Sequence, residues 1–283
     1  MKLLFKKYPT GAKFVVAIIF FIAALFVSTL INKGFIKQCI PYGAPLLLVL
    51  ATWVLYKIEG KSLKEIGLNF NIKNIEFLFL GILIGILVFL GAKYLRGLYV
   101  GEVFEVSTSI NFEVILFAFY FILPQVATEE LLFRGYLFKK TIEVSNVVVT
   151  NIIFSILFML IHVVDEDVLQ NKGMIVMLVI TIPVGHLLFA TALLRSKSLF
   201  FPIGLHLGNN WATRHLISNT NSSESILFIP DIITFETWTP FIFTLVLFNG
   251  IYVFLILVIW KWDKIIKPLK ILIYKKKASL FKN

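Results

Sequence analysis

The feature that most constrains this chain is a succession of long apolar stretches with short polar breaks between them. Eight are visible in the 283 residues, at 14–31, 40–56, 76–95, 112–135, 146–164, 174–194, 198–215 and 239–260. Crossing the hydrocarbon core of a bilayer as a helix takes about 17–25 mostly apolar residues. In lipid every backbone polar group must be paired within the segment, so runs of this length read as helices and not as strands. The chain is 59% hydrophobic and 15% charged, against about 45–50% apolar and about 25% charged for soluble domains. That balance excludes a soluble domain, a disordered chain, a collagen-like repeat and a disulfide scaffold. The expected fold is all-α: a polytopic transmembrane bundle of about eight helices, a single transmembrane domain over 1–283. Its chemistry-bearing core spans about 110–215.

The single cysteine, Cys39, rules out an internal disulfide and a Cys-based zinc or iron–sulfur site. The net charge of +11 would suit nucleic acid if a soluble domain carried it, and none does. It follows the topology instead. With the N-terminus inside, 21 of the 27 basic residues fall on inner segments, including eight lysines from Lys261 to Lys282. Six fall outside: Lys33, Lys37, Lys93, Arg96, Lys172 and Arg214. The positive-inside rule then predicts an integral protein of the plasma (inner) membrane with both termini cytoplasmic. The first apolar run exceeds the h-region of a signal peptide and reads as an uncleaved helix. Segment 57–75 reads as a short cytoplasmic amphipathic stretch and 216–238 as an external loop. Gly81 and Gly85 form a GxxxG, which reads as close helix packing within the fold.

A charge at the bilayer centre costs about 2.5–3.5 kcal/mol on insertion scales, so polar groups inside the apolar runs mark candidate sites. Three clusters stand out. In Pro124–Arg134 two adjacent carboxylates, Glu129 and Glu130, precede Arg134. Glu130 and Arg134 are i, i+4 and share a face, which leaves Glu129 available about 100° round the helix. The bland alternative is a solvated helix end. Pro124 predicts a break or kink. The second cluster is Phe158 with His162 one turn later, where a structural histidine is the competing reading. The third is His206 and Asn210 at i, i+4, flanked by Gly204 and Gly208, which leave room for another backbone or for a substrate. Interhelical hydrogen bonding is the competing reading there. Together they offer what amide hydrolysis in a membrane cavity needs. Carboxylate and imidazole deprotonate water, and imidazole and amide groups donate to an oxyanion.

These residues resemble the CPBP family of CAAX-protease and bacteriocin-processing membrane proteins, which includes the type II CAAX prenyl endopeptidases. The EExxxR motif is matched by Glu129, Glu130 and Arg134, FxxxH by Phe158 and His162, and HxxxN by His206 and Asn210. The resemblance implies an intramembrane glutamate-dependent endopeptidase acting on a hydrophobic or lipidated peptide. It implies that Glu129 and His162 activate water, that His206 and Asn210 form the oxyanion hole, and that Glu130 and Arg134 orient the site. No cofactor is expected; zinc on His162, His206 and Glu129 is the chemical alternative. His186 departs from the pattern, reading either as a packing histidine or as part of the substrate path beside Phe158. His215 reads as solvated. A non-catalytic scaffold or immunity protein of the same fold, or a transporter, are the competing functions. The depths conflict: an inward 112–135 places Glu129 low, and an outward 146–164 places His162 high. Either a break at Pro124 or an earlier start to the next helix would reconcile them.

Overall fold

The computed structural model describes residues 11–230 and 238–264. Lys2, Lys6, Lys7 and the lysines from Lys267 to Lys282, which weigh in the orientation, lie outside the described residues, as does 231–237 of the expected external loop. Among the described residues there are eleven α-helices: α1 (Gly11–Ile31), α2 (Gly34–Cys39), α3 (Gly43–Ile58), α4 (Ile72–Val100), α5 (Phe112–Arg134), α6 (Tyr136–Val144), α7 (Val147–Val163), α8 (Glu166–Leu169), α9 (Lys172–Ser196), α10 (Phe200–Trp211) and α11 (Trp238–Trp260). A 3-10 turn at Leu63–Ile66 and a π turn at Ala212–Leu216 complete the helical elements. Each of the eight apolar stretches becomes a helix. The protein is a polytopic helical membrane protein whose lipid-facing side chains are apolar, among them Phe26, Leu46, Phe79, Leu116, Val148 and Phe254.

Asparagines start the helices that build the core. Asn71, Asn111, Asn146 and Asn171 each accept a hydrogen bond from the backbone N–H three residues on. This satisfies one of the donors that a helix start leaves free.

Three expectations need correction. First, the apolar stretches differ in length. Among the described residues five segments are long and apolar enough to cross a membrane, the third of them Phe112–Val144, which joins α5 and α6. Helices α3 and α7 are shorter, and α10 has only 12 residues, about 18 Å at 1.5 Å per residue. It is a central helix and not a full span: Phe200 through Gly208 are all buried. Other helices take its place against lipid.

Second, Pro124 does not break α5, which is helical throughout Phe112–Arg134. Proline removes the N–H that would bond the carbonyl four residues back. That carbonyl, on Tyr120, instead accepts the Tyr42 hydroxyl at 2.9 Å. The bend comes later, at Gly135 (φ −83°, ψ −136°). A Cβ there would press on the backbone of Leu131, so only glycine fits.

Third, the bundle carries a small sheet at one end. Strands β1 (Glu105–Val106), β2 (Ile217–Ser218) and β3 (Leu227–Phe228) lie in the order β1-β3-β2, with β1 antiparallel and β2 parallel to β3. Part of the expected external loop is therefore ordered backbone.

The glycines answer the question of what fills the space beside His206. A Cβ on Gly81 would stand 2.7 Å from the Leu205 nitrogen and the Phe201 oxygen, and one on Gly85 would stand 2.8 Å from the Asn209 nitrogen. Gly204 and Gly208 meet the α4 backbone in return, at Leu78 and Ile82. Two GxxxG faces thus lock α4 to α10, the most extensive helix pair in the fold. Another backbone takes the room, and His206 and Asn210 are fixed against it.

Candidate active site

The depth conflict resolves in a way that neither sequence alternative offered. After Arg134 the chain continues in the same sense through α6 before turning at Ser145–Asn146, and α7 then runs back. Facing side chains mark the hairpin: Phe138 with Phe154 at 5.4 Å, Phe133 with Phe158 at 4.9 Å between ring centroids, and Glu129 with His162. Each pair sits equally far from the turn on its two arms to within one residue, so Glu129 and His162 share a level. Helix α6 supplies the missing length.

A cavity of about 250 Å³ forms where α5, α7, α9, α10 and α11 meet. Glu129, Phe158, His162, His206 and Asn210 all line it, together with Gln125, Phe189 and Arg214. His186 does not. It is fully buried, and its ring packs 6.2 Å from Phe158 and 6.0 Å from Phe138, behind the cavity wall. Its surroundings are those of a packed histidine.

Two carboxylates on adjacent residues have different surroundings. Glu130 and Arg134 have no exposure, which removes the solvated-end reading. Arg134 Nη1 donates to Glu130 Oε1 at 3.1 Å. The guanidinium carbon lies 4.2 Å from the ring centre of Phe158 and 5.2 Å from that of Phe189, in reach of cation–π attraction. The same Oε1 accepts His206 Nδ1 at 2.9 Å. Because a carboxylate accepts, Nδ1 carries the proton. The ring of His206 stacks on Phe189 at 4.8 Å. Buried pair, stacked ring and glycine-locked helix together aim His206 Nε2 into the cavity.

Glu129 is half-buried and faces open space. Its Oε1 accepts from Gln125 Nε2 at 3.1 Å, and Gln125 Oε1 accepts from Arg214 at 3.1 Å. Its Oε2 stands 3.7 Å from His206 Nε2 and 3.9 Å from His162 Nε2. His162 Nδ1 donates to the Phe158 carbonyl at 2.7 Å, and the two rings meet edge-on at 4.6 Å. That bond fixes the tautomer with Nε2 unprotonated toward Glu129. Gaps of 3.7–3.9 Å are too long for hydrogen bonds and suit a water placed between.

Gln125, Arg214 and Tyr252 are among the members of this site that the sequence reading left out. Gln125 stands one turn before Glu129, and Arg214 two turns after His206, so helical spacing alone could have flagged both. Tyr252, whose hydroxyl donates to Asn209 Oδ1 at 3.1 Å, comes from α11 and carries no local signal. His215 is half-buried and donates to the Glu224 carbonyl at 2.8 Å. Among the described residues no group of three or more His, Cys, Asp or Glu side chains is arranged to hold a metal ion.

Residues 111–212 match the family described as Type II CAAX prenyl endopeptidase Rce1-like. Over this segment, about a third of its length, the chain is similar to that family of peptidases. The Rce1-like segment begins at the cap of α5 and ends just past α10. It holds Glu129, Glu130, Arg134, Phe158, His162, His206 and Asn210, and leaves out α1–α4, α11 and Arg214. No curated protein and no solved structure matches the chain.

Proposed function

We propose that the protein is an intramembrane endopeptidase that hydrolyses a peptide bond in a hydrophobic, membrane-associated chain. The observation that supports this reading is the convergence of Glu129 Oε2, His162 Nε2 and His206 Nε2 on one point of the cavity. A water at that point gives a proton to Glu129, with His162 Nε2 as the second acceptor, and its oxygen adds to the scissile carbonyl carbon. The carbonyl oxygen takes the negative charge beside the Asn210 amide. His206 joins as donor from Nε2 only when both ring nitrogens carry protons, since Nδ1–H is committed to Glu130. Collapse of the adduct breaks the C–N bond. The proton held on Glu129 passes to the leaving amine, so water is divided between the two products.

In this reading Gln125 and Arg214 hold Glu129 Oε1 and leave Oε2 to the reaction. Glu130 and Arg134 set the ring of His206. No metal is needed for any step. The test is turnover of a hydrophobic peptide by the purified chain. Glu129→Gln and His162→Ala should each lower it by about 10²–10⁴-fold, the usual worth of a general base, while the protein stays folded. Near wild-type turnover in either variant removes the assignment.

A further inference from the structure

The side chains that line the cavity become exposed toward one end of the bundle, the open end, and stay buried toward the other, the closed end. Along α5, exposure rises from buried Glu130 through half-buried Glu129 to exposed Gln125. Along α10 it rises from buried His206 through half-buried Asn210 to Arg214, which is exposed in the π turn. Helix α7 goes from buried Phe158 to half-buried His162, and α9 from buried Phe189 to half-buried Thr181. These four gradients run toward the N-terminal ends of α5 and α9 and the C-terminal ends of α7 and α10. They share one end, the end that carries the three-stranded sheet and the α7–α9 connection.

The two ends of the bundle differ in charge. The closed end carries Lys57, Lys61, Lys64, Lys139, Lys197 and Lys261, and Arg195 there pairs with Asp263. Lys13 and Lys140 gather at the same end around Glu59. The open end carries Glu105, Asp165, Glu166, Asp167 and Glu224 beside Lys33, Lys172 and Arg214, while its Arg96 and Lys93 are drawn onto Glu102. In the sequence, the segments counted as inner hold 21 of the 27 basic residues. Lysine and arginine near span ends are retained on the cytoplasmic side.

We propose that the mouth of the cavity faces the extracytoplasmic side, and that the substrate is the juxtamembrane stretch of a membrane-anchored or exported chain presented from that side. This rests on the endopeptidase reading for the substrate and on charge and geometry for the orientation. A peptide held on the cytoplasmic leaflet, lipidated or not, meets the closed, lysine-rich end and has no path to Glu129.

The test has two arms. In a Cys39→Ser background, Asn219→Cys places a thiol on an exposed residue of the open end and Lys64→Cys one on an exposed residue of the closed end. Each is labelled with a membrane-impermeant maleimide, in intact cells and after permeabilisation. The expected intact-to-permeabilised ratio is near one for Asn219→Cys and near zero for Lys64→Cys. A ratio near zero at 219, or near one at 64, overturns the orientation. In the second arm a degenerate apolar peptide library is carried on a single-span anchor, on its outer or on its inner side. Cutting of the outer set, lost in Glu129→Gln, is the expected result. Cutting of the inner set alone overturns the proposal. With the expected labelling but neither set cut, the orientation stands while the endopeptidase reading and this substrate class fall.

Discussion

Replacing Arg134 by methionine tests how the site is held. The guanidinium is fully buried between the Phe158 and Phe189 rings, with one hydrogen bond to Glu130. Methionine fills much of the volume and deletes the charge. Glu130 then keeps only the His206 Nδ1–H, at 2.9 Å. Removing one partner of a buried pair costs about 3–5 kcal/mol, and losing a desolvated cation–π contact adds up to about 2 kcal/mol. Against this, Arg134 Nε and Nη2 are buried with no hydrogen-bond partner, and deleting an unsatisfied donor returns about 1–3 kcal/mol. The net is about 3 kcal/mol, or a fall of about 6–12 °C in Tm at 2–4 °C per kcal/mol. The assay is thermal unfolding of purified Arg134→Met in detergent, alongside Glu130→Gln and the double variant. Coupling should make the double variant more stable than the sum of the singles by about 1–3 kcal/mol. Additive losses, or a Tm within a degree of wild type, would refute the reasoning.

Three further outcomes are expected. Tyr42→Phe strands the Tyr120 carbonyl that Pro124 leaves free, and should cost about 1–3 kcal/mol in the same unfolding assay; no change would mean that α5 tolerates the proline unaided. Burial raises the Glu59 carboxyl pKa, but hydrogen bonds from Lys140 and Tyr136 outweigh it and hold it below its ordinary value. Its stabilisation is therefore full above the unfolded-state value of about 4.3 and is lost as pH falls through the lower folded value. Accordingly Glu59→Gln should melt earlier at neutral pH and converge with wild type in acid, and parallel curves at all pH values would contradict this. Dialysis against a strong chelator should leave peptidase activity intact, whereas loss that follows zinc removal and reverses on its return would replace this mechanism with a metal-assisted one.

The helices were legible because length and apolarity decide them, and the three polar clusters were legible because each is local in sequence. Glu130 with Arg134 and Phe158 with His162 are one turn apart, so helical geometry alone pairs them. Their depth was not legible. Taking 112–135 as a complete span hid α6, because a bend at Gly135 leaves no mark in hydropathy. Pro124 carried the break signal instead, and its effect is cancelled by Tyr42, a partner 78 residues from Tyr120. The central position of α10 escaped for a related reason, since enclosed and lipid-facing apolar helices read alike. Strands of two residues are too short to show an alternating pattern. The Gln125–Arg214 bond joins residues 89 apart in the chain, and only the folded bundle brings them together.

The most direct measurement compares the membrane peptidome of cells carrying the wild-type chain with that of cells carrying Glu129→Gln at equal levels of folded protein. Glu129 touches the proposed water through Oε2 alone, and its other oxygen keeps the Gln125 bond, so the amide should preserve the fold and remove the base. The account predicts that a set of hydrophobic fragments disappears in the variant while their uncut parents accumulate. Identical peptidomes, with both proteins folded and present in equal amount, would contradict it.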